Sequence, residues 1–71
     1  MDPTRFSKHA LRQMKERGVT VDEVNRVLAL GSHRIGSRPG TTDHTARIRR
    51  RTTVVVTSSR SGRVVTVIVR A

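Results

Sequence analysis

A histidine near the start of the chain, His9, occupies a position that suits acid–base chemistry. Ser7 has the character of a helix N-cap, which places His9 at the second position of the helix that follows. The positive end of the helix dipole disfavours a protonated imidazole there, and a neutral imidazole can serve as a general base. Arg12 and Arg17 follow on the same helix and could stabilise charge that develops on phosphate oxygens during RNA cleavage. The alternative is that His9 is an exposed residue beside solvated arginines.

A hydroxyl group and further cations come from the C-terminal half. Alternation in the last predicted strand puts Val64, Thr66 and Arg70 on one face and Val65 on the other. Pairing with the preceding strand would border the Thr66 face with more hydroxyl and guanidinium groups, those of Thr53, Thr57, Arg47, Arg49 and Arg51. Such a surface would bind phosphate. The alternatives are that Thr66 is an ordinary strand residue and that the arginine run at 49–51 is solvated.

The whole chain is strongly basic, with 15 Lys or Arg against 5 Asp or Glu in 71 residues and a formal net charge of +10. Such a charge indicates a polyanionic partner, nucleic acid first and an acidic protein or an anionic membrane surface second. Most of the cations are arginine, which codon bias in a GC-rich genome would also explain. The absence of cysteine excludes disulfides and thiolate metal sites. The three histidines lack metal-ligand spacing and no apolar run could span a bilayer, so we expect no metal, no cofactor and no membrane association.

Two amphipathic helices are predicted for the N-terminal half. Ser7 and Gly18 are the residue types that begin and end the first of them. Thr20 and Glu23 form a capping box at the start of the second helix, which Gly31 ends. The two predicted helices span about 7–17 and 21–30.

The C-terminal half has the composition of an antiparallel sheet. Residues 32–44 contain turn signals, among them Asp43, and β-branched residues dominate from Thr45 onward. Arg50 breaks the alternation of the first long strand, which predicts a bend or bulge near 50–52. The expected fold is α+β, with two N-terminal helices packed on a small antiparallel sheet of three or four strands in a single domain, 1–71. The predicted strands span about 46–58 and 63–70, with a further short strand at 33–37.

Two segments of the chain resemble a known family. The opening FSKHALRQMKERGVTVDEV (6–24) and the closing GRVVTVIV (62–69) are similar to a bacterial family of domains of unknown function in the RelE-like toxin group. Its members begin F-S-x-H-A, continue with Arg and Met, read R-G-I/V-S/T before a second helix, and carry a Thr after paired hydrophobic residues in the closing strand. The resemblance implies the barnase/EndoU/colicin/RelE ribonuclease fold (RelE-like, or microbial-RNase-like), with a metal-independent site across the sheet.

The resemblance also implies which residues do the chemistry. It points to His9, to an arginine on the first helix and to Thr66 on the last strand. The family places that arginine four residues after the histidine, where this chain has Gln13, and Arg12 lies one residue earlier. One residue turns a side chain by about 100° around a helix, so the two positions are not equivalent. The predicted catalytic residues are His9, Arg12 and Thr66, and the predicted substrate contacts are Arg17, Arg47, Arg49, Arg51 and Arg70.

Two functions from different classes follow from these observations. The first is a metal-independent endoribonuclease toxin that cleaves RNA in the cytoplasm, either on its own or as a domain delivered into a target cell. Its expected partner is an acidic antitoxin or immunity protein. The second is a non-catalytic nucleic-acid-binding protein that uses the arginine-rich sheet, and a weaker third is a basic domain that binds an acidic protein. The small core and an exposed sheet edge also allow a homodimer.

Overall fold

The computed structural model describes residues 5–36 and 38–70 and shows two helices packed on one face of an open four-stranded antiparallel sheet. The predicted α+β class is confirmed. Ser37, which ends the predicted strand 33–37, and the predicted domain's residues 1–4 and 71 lie outside the described residues. The sheet order follows the chain, β1-β2-β3-β4. The elements are α1 (Lys8–Arg17), α2 (Val21–Leu30), β1 (Ser32–Ile35), β2 (Thr41–Ile48), β3 (Arg51–Ser58) and β4 (Val64–Arg70).

Local capping explains where α1 begins and ends. The Ser7 hydroxyl accepts a hydrogen bond from the Ala10 N–H at 3.0 Å, which satisfies one of the unpaired donors of the first turn. Gly18 adopts φ 66° and donates its N–H to the Met14 carbonyl. This left-handed conformation costs glycine little, so the helix stops there. The predicted first helix is confirmed.

The second predicted helix is also confirmed, but its capping box is only half formed. The Thr20 hydroxyl accepts from the Glu23 N–H at 3.1 Å, as the box requires. The Glu23 carboxylate points instead toward the sheet, where it accepts hydrogen bonds from Arg51 and Thr53. The same residue therefore helps to start α2 through its backbone and fixes α2 to β3 through its side chain.

The predicted single strand 46–58 is wrong. The structure has two strands here, β2 and β3, joined by a tight turn in which Ile48 and Arg51 are cross-strand partners. Arg49 takes φ 62° in this turn, a conformation that glycine or asparagine usually supplies. The predicted irregularity near 50–52 is therefore a chain reversal, and Asp43, predicted in a turn, lies inside β2.

A β-bulge in the β3–β4 pair changes which residues face the core. Val56 pairs with Thr66 but Thr57 pairs with Val64, so Val65 is an extra residue in β4. Val64 is buried in the core, and Val65 lines the open face of the sheet. The predicted faces of Val64 and Val65 are therefore wrong, because the bulge shifts the alternation by one residue.

The hydrophobic core lies between the helices and one face of the sheet. α1 packs mainly on β4, and α2 packs on β2 and β3. Because both helices occupy the same side, the other face of the sheet is left open. The buried core consists of Phe6, Ala10, Met14, Val19, Val24, Val27, Val55, Val64 and Val67.

The two edges of the sheet differ in how their backbone groups are satisfied. Along β4, Ser7 donates its N–H to the Val64 carbonyl at 2.8 Å and its hydroxyl to the Val65 carbonyl at 3.1 Å. The Gln13 side-chain oxygen accepts from the Val67 N–H at 2.8 Å. Residues before and within α1 therefore cover the β4 edge. β1, at the other edge, is only four residues long and exposed, which limits pairing with a further strand.

Candidate nucleic-acid interface

A cleft of about 850 Å³ crosses the open face of the sheet, from the first turn of α1 to β1. Strands β3 and β4 contribute its apolar side chains, whereas β1 and β2 contribute polar and charged ones. The lining residues are His9, Ser32, Arg34, Arg38, Thr41, Asp43, Thr45, Thr52, Val54, Val56, Val65, Thr66, Ile68 and Arg70. An apolar centre between basic ends suits a ligand that carries both bases and phosphates.

His9 and Thr66 come from opposite ends of the chain and line the same cleft. Ser7 links the two elements that carry them, because this N-cap of α1 is hydrogen-bonded to the Val64 and Val65 carbonyls. The start of α1 is thereby held beside the residue that precedes Thr66. His9 itself is exposed, so a ligand in the cleft can reach its ring.

Arginines stand at both ends of the cleft. Arg47 is opposite Thr52 and Thr52 is opposite Arg70, so these three side chains form one row across the open face. Arg34 and Arg38 line the other end. The sequence predicted Arg47 and Arg70 but missed Arg34 and Arg38. A short strand was predicted at 33–37, but no pattern showed which residues of this strand and of the following turn face the cleft.

One carboxylate, Asp43, also lines the cleft, and sequence reasoning did not select it. It is the cross-strand partner of Arg34 in the β1–β2 pair. Within the described residues Asp43 forms no ion pair, so it is free to accept a hydrogen bond from a ligand. Alternation within β2 could have revealed Asp43 only if that strand had been recognised.

The predicted arginines of α1 do not join His9 in the cleft. Arg12 is exposed and is not part of the cleft lining. Gln13, at the position of the family arginine, is turned toward β4 and accepts from the Val67 N–H. Arg17 pairs with Glu16 at 3.7 Å at the far end of the helix. Of the three predicted residues of α1, the structure places only His9 in the cleft.

Arg51 and Thr53 lie on the helix-covered face and bind Glu23. The Arg51 guanidinium donates to Glu23 Oε1 at 2.8 Å and to the carbonyls of Arg17 at 3.1 Å and Gly18 at 3.0 Å. The Thr53 hydroxyl donates to Glu23 Oε2 at 2.7 Å. The prediction that Arg51 and Thr53 border the Thr66 surface is wrong, because the β3–β4 register pairs Val56 with Thr66 and leaves the alternate residues of β3 on the helix-covered face.

The charge of Glu23 is stabilised by this cluster. Burial alone would raise the pKa of the Glu23 carboxyl group, but hydrogen bonds from Arg51 and Thr53 and the positive charges of Arg51 and Arg49 lower the pKa below its ordinary value. The ionised carboxylate thus joins α2, β3 and the end of α1.

The two remaining histidines lie away from the cleft. His33 and His44 are cross-strand partners in β1 and β2, with ring centroids 6.0 Å apart. His44 Nε2 lies 3.0 Å from the hydroxyl oxygen of Thr57, so Thr57 is also on this face and its predicted place beside Thr66 is wrong. Burial and the charge of His33 lower the pKa of His44, against an opposing effect of Asp43.

A second groove, of about 440 Å³, lies at the outer edge of β2, beyond the point where β1 pairs with it. Arg26, Arg47 and Arg49 line this groove, together with Leu30 and Ile48. Arg49 therefore lies outside the cleft. Arg47 connects the two basic surfaces, because it belongs to the arginine row of the open face and also to this groove.

The described part of the chain contains neither a metal-binding cluster of three side chains nor a helix that could span a membrane. No cluster of three or more His, Asp or Glu side chains arranged to hold a metal ion occurs within residues 5–36 and 38–70. In the same ranges, neither helix combines the length and the apolar character needed to cross a membrane.

Fold and cleft together define a small basic α+β domain whose open sheet face is accessible to a ligand. Residues 6–69 match the family described as Domain of unknown function (DUF4258), and the chain belongs to this family. The predicted membership of a domain-of-unknown-function family is confirmed. No curated protein and no solved structure matches the chain.

Proposed function

We propose that this protein binds RNA across the open face of its sheet and cleaves it without a metal ion, as a ribonuclease of the RelE-like toxin group. The observation that carries the proposal is the meeting of His9, Thr66 and Arg70 in one cleft. Three arginines and one carboxylate line this cleft, so its charge favours a phosphate backbone.

The proposed reaction is attack by the ribose 2′-oxygen on the adjacent phosphorus. His9 removes the 2′-hydroxyl proton, the new O–P bond forms, and the bond to the 5′-oxygen breaks as that oxygen takes a proton from water. The products are a 2′,3′-cyclic phosphate and a free 5′-hydroxyl. General base catalysis of this kind contributes about 10²- to 10⁴-fold in rate. Arg70 stabilises the negative charge on the phosphate oxygens, and the Thr66 hydroxyl donates a hydrogen bond that positions the same group.

Arg70 takes the catalytic role that the sequence predicted for Arg12. Arg70 lies on β4 with Thr66 and lines the cleft, whereas Arg12 does not. Arg34 and Arg38 would hold a neighbouring phosphate at the other end of the cleft, and Arg47 would extend the path beside Arg70. Arg17 and Arg51 have structural partners and no proposed contact with RNA.

The decisive experiment is cleavage of total RNA and of tRNA in EDTA by the wild-type protein and by His9→Ala. We expect the wild type to cleave and His9→Ala to lose about 10²- to 10⁴-fold in rate with unchanged RNA affinity. His33→Ala is the matched control, since it removes an exposed histidine outside the cleft. Equal cleavage by the wild type and His9→Ala would refute the assigned role.

A second candidate function is RNA binding without cleavage. The observation that favours it lies on α1: Gln13 accepts from the Val67 N–H and Arg12 is outside the cleft, so no arginine of α1 lines the cleft with His9. A binder would form no product in EDTA. Its affinity for single-stranded RNA would fall with salt by about 0.7 logarithmic units per phosphate contact and per decade of salt.

The toxin proposal includes an acidic antitoxin or immunity protein and the cytoplasm as the site of action. The cleft and the second groove are both basic, and an acidic protein that covered them would block RNA. A neighbouring reading frame that encodes a small acidic protein, co-purifying with this chain and inhibiting cleavage, is the expected result. Undiminished toxicity when the neighbouring protein is co-expressed would argue against its role as an antitoxin.

A further inference from the structure

The side of the sheet opposite the cleft carries a pair of histidines on two neighbouring strands. His33 and His44 are direct partners in the antiparallel β1–β2 pair, and their rings are tilted by 42° with centroids 6.0 Å apart. We propose that these two rings form a binding site for one divalent transition-metal ion such as Zn²⁺, a metal that imidazole nitrogen binds readily.

The separation of the rings fits a shared ion. Zinc binds imidazole nitrogen at about 2.0–2.1 Å, so an ion held by one nitrogen of each ring places the two centroids about 5–6 Å apart. The observed 6.0 Å is at the upper end of that range. His33 is exposed, so a small rotation of its side chain closes the remaining distance without moving the backbone.

Thr57 prepares His44 to act as a ligand. When the Thr57 hydroxyl donates to the Thr42 carbonyl oxygen, which lies 3.5 Å away, its own oxygen accepts from His44 Nε2–H at 3.0 Å. In this tautomer the free lone pair is on Nδ1 of His44. A hydrogen bond on the second ring nitrogen is the arrangement that orients metal-binding histidines and makes them better ligands.

The histidine pair is open to water, because His33 is exposed and the charged neighbours of the pair point away from it. Arg34 follows His33 and Asp43 precedes His44, and both of these neighbours face the cleft instead. Water would therefore complete the coordination shell, as in an exchangeable site rather than a closed structural one.

Such an ion would add a cross-link between β2 and the short edge strand β1. β1 has four exposed residues and pairs in the sheet with β2 alone. An ion that binds the folded chain and not the unfolded one stabilises the fold by mass action. Because the site is on the face opposite the cleft, the inference does not depend on the proposed ribonuclease activity.

The test is a Zn²⁺ titration of the wild-type protein followed by NMR of the three histidine rings and by calorimetry. We expect one Zn²⁺ per chain, selective shifts of the His33 and His44 ring signals, and a higher Tm. The matched control is His9→Ala, which should bind Zn²⁺ like the wild type. His33→Ala should bind at least about tenfold more weakly, the effect that loss of ligand support has on metal sites.

Thr57→Val separates a ligand site from adventitious binding. It keeps both rings but removes the acceptor that orients His44, so we expect Zn²⁺ affinity to fall about tenfold. Retained affinity in His33→Ala, ring shifts dominated by His9, or no saturable binding by the wild type would overturn the proposal. None of these outcomes involves RNA, so none of them tests the ribonuclease proposal.

Discussion

The two faces of the sheet use arginine in opposite ways. On the helix-covered face, Arg51 donates to Glu23 and to the carbonyls of Arg17 and Gly18. On the open face, Arg47 and Arg70 flank Thr52 and form no ion pair within the described residues. A formal charge of +10 is therefore divided between cations that hold the fold and cations that remain available.

Charge alone does not locate a binding surface on this protein. Arg47 and Arg51 are close in sequence, but the tight turn between them gives them different environments. A guanidinium satisfied by a carboxylate and two carbonyls has few donors left for phosphate. The face on which an arginine lies, and not its place in an arginine-rich run, decides what it can bind.

Removing the carboxylate of the helix-covered face should have the largest effect. Glu23→Ala leaves the Thr53 hydroxyl buried without its acceptor and Arg51 without its counter-charge. We expect a loss of about 2–4 kcal/mol in the free energy of unfolding, measured by urea denaturation. Arg70→Ala on the open face is the control and should change stability by no more than about 0.5 kcal/mol. Similar losses of stability in both variants would show that the arginines of the two faces contribute equally to the fold.

Neutralising the open face should weaken RNA binding without unfolding the protein. Replacing Arg47 and Arg70 together by alanine removes two charge-assisted contacts, so we expect affinity for single-stranded RNA to fall by roughly 1.5–3 kcal/mol at low salt. Fluorescence anisotropy with a labelled oligonucleotide measures the change. Replacing Arg12 and Lys15 together by alanine also removes two exposed charges, but both lie outside the cleft, so that protein should retain nearly full affinity. Equal losses in the two proteins would show that binding depends only on net charge.

Acid should weaken the helix-covered face through Glu23. Because the folded-state pKa of Glu23 lies below its ordinary value of 4.5, the unfolded chain binds more protons in acid than the folded chain does. The stabilisation is fully present above pH 4.5 and is lost as the pH falls through the folded-state pKa. Urea denaturation from pH 7 to pH 3 should therefore show a steeper decline for the wild type than for Glu23→Gln. Parallel curves would contradict the role of this ionised group.

The smallest expected effect concerns the turn that separates the two faces. Arg49 has φ 62°, which an L-residue with a long side chain adopts at a cost. Arg49→Asn should raise the free energy of unfolding by about 0.5–1 kcal/mol, because asparagine tolerates this conformation better. Arg60→Asn, in the loop after β3, is the control for loss of charge. A destabilised Arg49→Asn protein would mean that the arginine side chain supports the turn.

The helices were predictable because their signals are local. Ser7, Gly18 and Thr20 act within one helical turn, so the sequence alone indicates where α1 and α2 begin and where α1 ends. The β2–β3 turn was not predictable in the same way. Arg49 and Arg50 are not among the residue types that are typical of a tight hairpin turn. The chain reversal is recognised only from the structure, in which Ile48 pairs with Arg51.

The candidate site was predictable in part for the same reason. His9, Thr66 and Arg70 could be named from a helix start and from strand alternation, and all three line the cleft. Arg34 and Asp43 were missed because they belong to a strand pair whose register depends on the whole sheet. The Gln13–Val67 and Glu23–Arg51 contacts join distant segments, and no local pattern encodes them.

The covered β4 edge also has a consequence for the order of folding. Each strand pairs with its neighbour in sequence, so the meander can grow by short chain closures. α1 is the exception, because Ser7 and Gln13 need the carbonyls and amides of residues 64–67. During synthesis α1 is made before its partner strand β4. The apolar side chains of Ala10 and Met14 therefore have no strand to pack against until β4 is made. During synthesis α1 can therefore dock only after β4 has been made, and this docking closes the molecule around the junction that carries His9 and Thr66.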